Sequence, residues 1–281
     1  MISTLANKRN GITSLLLLCI CLCTQTFYGQ SIGNSASGVK TIFDDFMKYR
    51  HENNVEKALE TLSEAANIAE SNEDSKLLLD TYHQYARLIL EEGDAETAIF
   101  YWDRASILLK DTSYSYGEAF HLYLDAALRF GEGNNFQALK QLEKSRKLSN
   151  NRNLTNNILL LEARIYSNIE KYEDAIKNLH ALIVNSDDEE RAFLATMANL
   201  ELAKISVVLD DLEEGIIHSK AALELAQKHG YSKEIKVAYE QLSNIYEEEG
   251  NYGESLVYTK ALAKLKDSVF NIEKAKLDAA T

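Results

Sequence analysis

The stretch Gly93-Asp94-Ala95-Glu96-Thr97-Ala98-Ile99 decides the fold, because its pattern returns along the chain at a fixed spacing. The related segments are NNVEKAL at 53–59, GNNFQAL at 133–139, EKYEDAI at 170–176, DDLEEGI at 210–216 and GNYGESL at 250–256. Their small residues are Ala58, Ala98, Ala138, Ala175, Gly215 and Ser255, which lie 40, 40, 37, 40 and 40 residues apart. Chance does not produce this spacing. The chain is therefore predicted to contain six copies of one structural unit.

Two further series of positions keep the same phase. Twelve residues before each small residue stand Phe46, Ala86, Ala126, Ala163, Ala203 and Ser243, and seven residues after it stand Ala65, Ala105, Ser145, Leu182, Ala222 and Leu262. Small side chains at fixed phase are required where two helices approach closely, since a bulky side chain would separate them. Each unit is therefore predicted to be a pair of packed helices.

The segments between these positions have the periodicity of helices. Apolar residues recur at steps of three and four, as in Leu159, Ala163 and Tyr166. First helices are predicted at 40–52, 77–92, 118–131, 157–169, 191–209 and 235–249, and second helices at 55–70, 95–110, 136–148, 172–184, 212–228 and 252–265. Ser115 with Glu118, and Ser186 with Glu189, have the spacing of capping boxes. Gly93, Gly133 and Gly250 suit the left-handed turn that ends a helix, and the chain contains no proline.

The segments 93–99 and 250–256 resemble the turn between the two helices of a tetratricopeptide repeat (TPR). Residues that match the large positions of this family are Tyr49, Tyr166, Tyr246, Trp102 and Leu179. The resemblance covers about residues 39–265. This segment is similar to the exported TPR regions of Bacteroidetes-type bacteria. Two features depart from the family: the period is 40 rather than about 34 residues, and no proline follows the second helix. The resemblance implies an all-α, right-handed α-solenoid of six repeats, with residues 266–281 as a C-terminal capping helix.

The first thirty residues are predicted to be a signal peptide. Lys8 and Arg9 precede an apolar run at 12–23, and small or uncharged residues follow. This run is shorter than the roughly 20 residues that span a bilayer. Residues 31–38 are predicted to be a linker, and no later segment is apolar enough to cross a membrane. The expected location is therefore the periplasm, with a secreted form as an alternative.

The cysteines and the net charge restrict the chemistry of the mature chain. Cys19, Cys21 and Cys23 all lie in the predicted signal peptide. The large residues before them favour simple cleavage over a lipid anchor, and the mature chain would contain no thiol for a disulfide, a nucleophile or a metal ligand. The net charge of −13 becomes about −15 without Lys8 and Arg9. Such acidity argues against nucleic acid as a partner.

The sequence contains no recognisable catalytic constellation. The six histidines, at positions 51, 83, 121, 180, 218 and 229, form neither an HExxH motif nor a close cluster in sequence. A glycine-rich phosphate loop and a Gly-x-Ser-x-Gly turn are also absent. We therefore expect no catalytic residues, no cofactor and no metal ligands.

The resemblance places one row of residues on the concave groove of the solenoid. These residues directly follow the small position of each first helix: Met47, Arg87, Ala127, Arg164, Lys204 and Asn244. The three cations would suit the carboxylate of a peptide C-terminus or of an acidic side chain. The alternative is that each cation pairs with a neighbouring carboxylate, such as Glu91 or Glu201. Other expected groove residues are His83, Gln84, Tyr123, Leu160, Asn168, Leu200 and Glu240, of which Tyr123 and the leucines equally suit the core.

Three functional hypotheses follow from these observations. The first is a non-catalytic exported scaffold that binds a protein or peptide segment along the concave groove. The second is the periplasmic sensory region of a transmembrane regulator, of histidine kinase or LuxR type, without its output part. The third and most remote is a hydrolase or metal-dependent enzyme. The sequence identifies neither the partner nor the oligomeric state.

Overall fold

A computed structural model describes residues 36–183 and 189–280. The chain divides into two compact units, Met1–Gly38 and Val39–Thr281, and only the opening turn of the first helix is described in the first unit. The described part contains twelve α-helices: α1 (Ala36–His51), α2 (Val55–Ser71), α3 (Ser75–Glu91), α4 (Ala95–Leu109), α5 (Ser115–Gly131), α6 (Asn135–Leu148), α7 (Arg152–Asn168), α8 (Tyr172–Ile183), α9 (Glu189–Val208), α10 (Leu212–His229), α11 (Ser232–Glu248) and α12 (Tyr252–Ala280).

The helices form six consecutive antiparallel pairs, from α1/α2 to α11/α12. Each helix from α2 to α12 packs on its neighbours in the chain, and α3, α5, α7, α9 and α11 also pack on one another in that order. Four hydrophobic clusters follow one another along the stack and join each pair to the next. The predicted all-α solenoid is therefore confirmed. The described residues include no helix that is long and apolar enough to span a membrane.

The turn inside every pair has the same backbone conformation. Its central residue has a positive φ: Asn53 (56°), Gly93 (85°), Gly133 (79°), Glu170 (61°), Asp210 (63°) and Gly250 (81°). The N–H of the next residue reaches back to the carbonyl five residues earlier, for example Lys171 to Tyr166 at 2.8 Å. This hydrogen bond is typical of a Schellman C-cap. The three predicted glycine turns are confirmed, and three other side chains adopt the same left-handed conformation without glycine.

The small residues of the repeat lie where the helices touch. The side chains of Ala58, Ala98, Ala138 and Ala175 are at most 1% exposed, and those of the series from Ala86 to Ala203 are at most 2% exposed. The exception in the second series is Phe46, a bulky residue that is fully buried against Leu62 and Leu88 in the cluster of the first two pairs. At Gly215, an added Cβ would lie 3.3 Å from Val207 and 3.4 Å from Ile245. These contacts explain why the sequence repeats small side chains.

The structure corrects three predictions at the boundaries of elements. The prediction of a separate capping helix at 266–281 is wrong for residues 266–280, because α12 runs without interruption from Tyr252 to Ala280. Residues 254–281 contain neither glycine nor proline, so nothing breaks the helix. The linker is also too long by three residues, since α1 begins at Ala36. Residues 1–35, with the predicted signal peptide, lie outside the described residues.

The predicted start of α5 also needs correction. Tyr114 is the N-cap and makes no side-chain capping bond, whereas Ser115 already belongs to the helix. The Tyr114 hydroxyl instead donates to Asp80 Oδ2 at 2.9 Å, which ties the residue before α5 to α3. This tertiary contact takes the place of the predicted capping box. Ser186, the cap of the other predicted box, lies outside the described residues.

Candidate functional site: a cavity on the concave side

The first two pairs contact the last two pairs across the concave side of Val39–Thr281. Lys233, at the start of α11, reaches the end of α3, with its Nζ 3.2 Å from Glu92 Oε1 and 3.4 Å from the carbonyl oxygen of Glu91. Beside it, the Ser232 hydroxyl donates to the carbonyl of Glu52 at 3.3 Å. Solenoid repeats ordinarily contact only their neighbours. This stack therefore curves far enough to close on itself.

An aromatic group forms the second half of this contact. The ring of His51 stacks on Phe193 with centroids 4.3 Å apart and meets Tyr231 edge-on at 5.5 Å. The guanidinium of Arg50 lies 5.3 Å from the centroid of the Phe193 ring. Tyr231 is fully buried, and His51 is 3% exposed. We call the residues that join the two ends the closing contact; they are Arg50, His51, Glu52 and Glu92 on one side, and Phe193, Tyr231, Ser232 and Lys233 on the other.

A cavity of about 260 Å³ lies against the closing contact. Its charged and polar walls are formed by Arg50, Asn53, Arg87, Glu91, Glu92, Asn157, Arg164, Lys233 and Glu234. Its other walls are formed by Val55, Leu88, Tyr123, Leu160, Phe193, Leu194 and Met197. The first helices of all six pairs contribute, so they converge on one partly open cavity.

Two arginines share one carboxylate in the wall of the cavity. Arg50 donates to both oxygens of Glu91 at 2.7 Å, and Arg87 Nε donates to Oε1 at 3.2 Å. Arg87 also donates to Asn157 Oδ1 at 2.8 Å, and its side chain is 8% exposed. Burial acts to raise the pKa of Glu91, but Arg50 and Arg87 outweigh it and lower the pKa to about 2. Glu91 is therefore ionised, and the group of three carries one surplus positive charge.

A second group of two cations and one carboxylate lies on the fourth and fifth pairs. Arg164 Nε donates to Glu201 Oε1 at 2.9 Å, and Lys204 Nζ donates to Oε2 at 3.1 Å. Of these residues only Arg164 lines the cavity. Pairing of the cations with neighbouring carboxylates, the alternative to an open cationic row, is therefore confirmed for Arg87 and Lys204. Glu91 in the first group and Glu201 in the second each neutralise one cation, which leaves each group with one net positive charge.

The other expected groove residues divide into those that line the cavity and those that do not. Tyr123 and Leu160 line the cavity with Arg87 and Arg164. His83, Gln84, Asn168, Leu200, Lys204, Glu240 and Asn244 do not line it. His83 is 1% exposed and lies 3.2 Å from His121, and Leu200 belongs to the core between α9, α10 and α11. The physical reason is that the concave surface closes around the cavity and leaves these positions in the core, under neighbouring helices or on the outer surface.

The remaining expected groove residues are Gln84, Asn168, Asn244 and Glu240. The Gln84 side-chain oxygen is buried without a partner in the described structure. Asn168 donates to Asn135 at 3.3 Å, Asn244 is exposed, and Glu240 Oε1 lies 3.7 Å from Lys266 Nζ. None of these contacts creates a site that could act on a ligand. Within 36–183 and 189–280, no group of three His, Cys, Asp or Glu side chains is arranged to hold a metal ion.

Sequence reasoning missed the cavity residues that the closure supplies. These are chiefly Arg50, Phe193, Lys233 and Glu234. Phe193 and Lys233 share a phase, because each stands ten residues before the small residue of its first helix, Ala203 or Ser243. That phase could have marked them as equivalent, but it does not reveal which repeats meet. Glu234 is 6% exposed, and burial raises the pKa of its carboxyl group.

Comparison with known proteins gives a structural relative and no sequence relative. No protein-family profile and no curated protein sequence matches the chain. Among solved structures, the chain is similar to BtubC (BKLC) from P. vanneervenii, with a TM-score of 0.56 and 15% sequence identity. The match covers 78% of this chain and 92% of BtubC. At this identity the similarity concerns the fold alone, and it supports a helical repeat architecture.

Proposed function

We propose that this chain is an exported, non-catalytic scaffold of TPR type that binds the end of a partner protein or peptide in its concave cavity. The observation that supports this most directly is the convergence of all six first helices on one cavity with both cationic and apolar walls. Small-molecule pockets usually occupy about 300–1,000 Å³. A cavity of about 260 Å³ suits a chain terminus better than an extended segment that lies along the groove.

The partly exposed guanidinium of Arg164 favours a carboxylate in the bound segment. Arg164 engages Glu201 through Nε, and its side chain is 33% exposed. A guanidinium has five N–H donors, so its terminal nitrogens can hold a carboxylate in a bidentate arrangement. Leu160 and Met197 offer an apolar surface in the same cavity. We therefore propose a C-terminal residue with an apolar side chain as the group that binds.

The assignment to the TPR family rests on the repeated sequence pattern and is supported by the common turn conformation of the six pairs. Export rests on the basic, apolar and small residues at the start of the sequence. Absence of catalysis is proposed because no catalytic motif was found in the sequence. The helical repeat fold suits a role in protein binding, since such solenoids offer extended concave surfaces.

A charge reversal at Arg164 tests the proposed function. The probes are the peptide acetyl-Ala-Ala-Leu with a free C-terminal carboxylate and the same peptide as a C-terminal amide. We expect the carboxylate to bind the unmodified protein and Arg164→Glu to weaken this binding at least tenfold, because a charge-assisted hydrogen bond contributes about 1.5–3 kcal/mol. Isothermal titration calorimetry gives both affinities.

Lys204→Glu is the matched control. Lys204 binds the same carboxylate as Arg164 but lies outside the cavity. It should retain most of the affinity for the carboxylate peptide. Equal binding of carboxylate and amide, or equal losses in the two variants, would contradict a carboxylate site at Arg164. Circular dichroism verifies that both variants keep their helices.

The sensory region of a transmembrane regulator remains the second candidate, and one observation favours it. Helix α12 continues as a single helix to Ala280, about fifteen residues beyond the last predicted repeat, and could transmit a change in the stack. A coding sequence that continues into a membrane helix and a kinase or DNA-binding module would support this role. A stop codon directly after Thr281, with no regulator encoded nearby, would argue against it.

A further inference from the structure

We propose that the closing contact is a latch coupled to the cavity, so that an occupant of the cavity and the latch stabilise each other. The latch rests on the proposed function, because it controls the same cavity. It adds a conformational equilibrium between a closed stack, as observed, and an open stack in which the first two and last two pairs are apart.

The first argument is the position of the cavity walls. Arg87 and Leu88 belong to α3, on one side of the closing contact, whereas Phe193 and Met197 belong to α9, on the other side. A ligand between them gains both sets of contacts only when the stack is closed. Binding must therefore favour the closed state, and closure must strengthen binding by the same factor.

The second argument is that the closing contact differs in kind from the contacts between neighbouring pairs. Neighbouring pairs share clusters of fully buried aliphatic side chains, such as Leu124, Leu142 and Ile158. The ion pair of the latch joins side chains that are 48% and 38% exposed, Lys233 and Glu92. Exposed ion pairs contribute little to stability. The polar part of the latch therefore adds little to closure, and the contacts of His51 with Phe193 and Tyr231 are the main apolar contacts that must separate when the stack opens.

The third argument is an unsatisfied donor inside the closed latch. Arg50 can only donate, so its Nη1, 3.2 Å from His51 Nε2, requires that nitrogen to act as the acceptor. The proton of the neutral ring is then on Nδ1, which is buried and has no hydrogen-bond partner among the described residues. An unpaired buried donor disfavours the closed state. The aromatic contacts of His51 with Phe193 and Tyr231 favour the closed state and oppose this effect.

Spin-label distances measure the state of the latch without any ligand. Labels are attached at Glu96→Cys and Glu247→Cys, two exposed positions, in the full chain with its three native cysteines replaced by serine. We expect two distance populations in the unmodified latch, and a shift toward the longer one in Lys233→Glu, which places two carboxylates together. Lys236→Glu, an exposed position on the same helix outside the closing contact, is the control and should not change the distances.

A disulfide between Glu52→Cys and Ser232→Cys is designed to lock the latch, since the Ser232 hydroxyl lies 3.3 Å from the backbone carbonyl oxygen of Glu52. With acetyl-Ala-Ala-Leu as the probe, we expect saturation to remove the longer distance and the locked chain to release the peptide at least tenfold more slowly. A single distance in the peptide-free chain, unchanged by Lys233→Glu, would overturn the latch. A peptide that fails to bind would instead contradict the proposed function. It would not affect the test of the latch, which uses distances measured without peptide.

Discussion

Glu91 is the residue on which the first two pairs depend for their polar contact. Its carboxylate accepts hydrogen bonds from Arg50 on α1 and Arg87 on α3, whose side chains are only 5% and 8% exposed. Guanidinium groups in such positions keep their charge, and without a counter-ion they would be buried at high cost. One carboxylate therefore makes two buried cations tolerable.

Replacement of Glu91 by glutamine should destabilise the fold. Removing one member of a buried ion pair costs about 3–5 kcal/mol. Because the Glu91 side chain is 38% exposed, solvent screening reduces the expected loss to about 1–3 kcal/mol. Glu92→Gln is the matched control, since Glu92 makes one exposed ion pair, and it should cost less than about 1 kcal/mol. Urea unfolding measures both; similar losses would show that the shared carboxylate is not the source.

At the scale of the element, the turn explains how the sequence sets the register of the pairs. All six turns use the left-handed conformation, which glycine adopts without steric cost. Glycine marks three of the turns in the sequence and so indicates the register of the pairs. Asn53, Glu170 and Asp210 give no such indication, because polar residues are common at many other positions. Their turns became evident in sequence only through the distance to the small residue five positions later.

Substitutions at two equivalent turns should have opposite effects. Glu170→Gly should stabilise the chain by up to about 1 kcal/mol, because a non-glycine residue in the left-handed region costs about 1–2 kcal/mol and glycine loses part of this gain to unfolded-state entropy. Gly93→Ala should destabilise it by about 1 kcal/mol for the same reason. Thermal and urea unfolding measure both. Changes of the same sign would mean that φ does not govern the energetics of these turns.

Helix α12 illustrates the limit of prediction from periodicity. The repeat pattern correctly located a helix from residue 252, and the predicted boundary at 265 followed from the length of the other second helices. Helix ends are determined by local breakers and caps, and this segment contains none. The prediction of the start of α5 was wrong for a different reason. The hydrogen bond from Tyr114 to Asp80 joins residues that are 34 positions apart. Such contacts have no local signature.

At the scale of the whole molecule, several buried histidines make stability depend on pH. Burial, with Arg50 and Arg87, lowers the pKa of His51 to about 3, and burial lowers the pKa of His121 to about 4. Burial holds the pKa of His83 well below its ordinary value of 6.5. Between about pH 6.5 and pH 4 the unfolded chain therefore binds more protons at these sites than the folded chain. Their contribution to stability is present above pH 6.5 and is lost as the pH falls.

The buried carboxyl groups act in the opposite direction. Burial raises the pKa of Asp80 to about 6, against the effect of its hydrogen bond from Tyr114, and burial also raises the pKa of Glu234. These groups favour the folded state at low pH, and that contribution is lost as the pH rises through their folded pKa values. The two effects compete between pH 4 and pH 6.5, so the contribution of one histidine is best isolated by substitution.

His121→Gln should flatten the dependence of unfolding free energy on pH. The native protein should lose about 1–2 kcal/mol more than this variant between pH 7 and pH 5, because the variant has no imidazole to protonate on unfolding. Urea unfolding at several pH values measures the slope. Equal slopes in the native protein and His121→Gln would contradict the assignment of a lowered pKa to His121.

The closing contact was beyond prediction because it depends on the sum of many small rotations. Repeats of a solenoid are each rotated slightly relative to the last, and a sequence encodes that rotation only through packing of side chains between neighbouring pairs. Arg87 and Arg164 could be placed on the first helices from their phase, and both do line the cavity. Lys233 and Glu92, separated by 141 residues, meet only because the accumulated rotation brings them together.

The closure makes the number of repeats a property that selection can act on. A duplication of one unit, for instance between Ala98 and Ala138, would preserve every turn and every contact between neighbouring pairs. It would also carry Lys233 one step further around the axis, away from Glu92, and the cavity would lose one of its walls. An open array tolerates gain or loss of units with a gradual change in length. A stack that closes is constrained in copy number, as a ring is, although no covalent bond joins its ends.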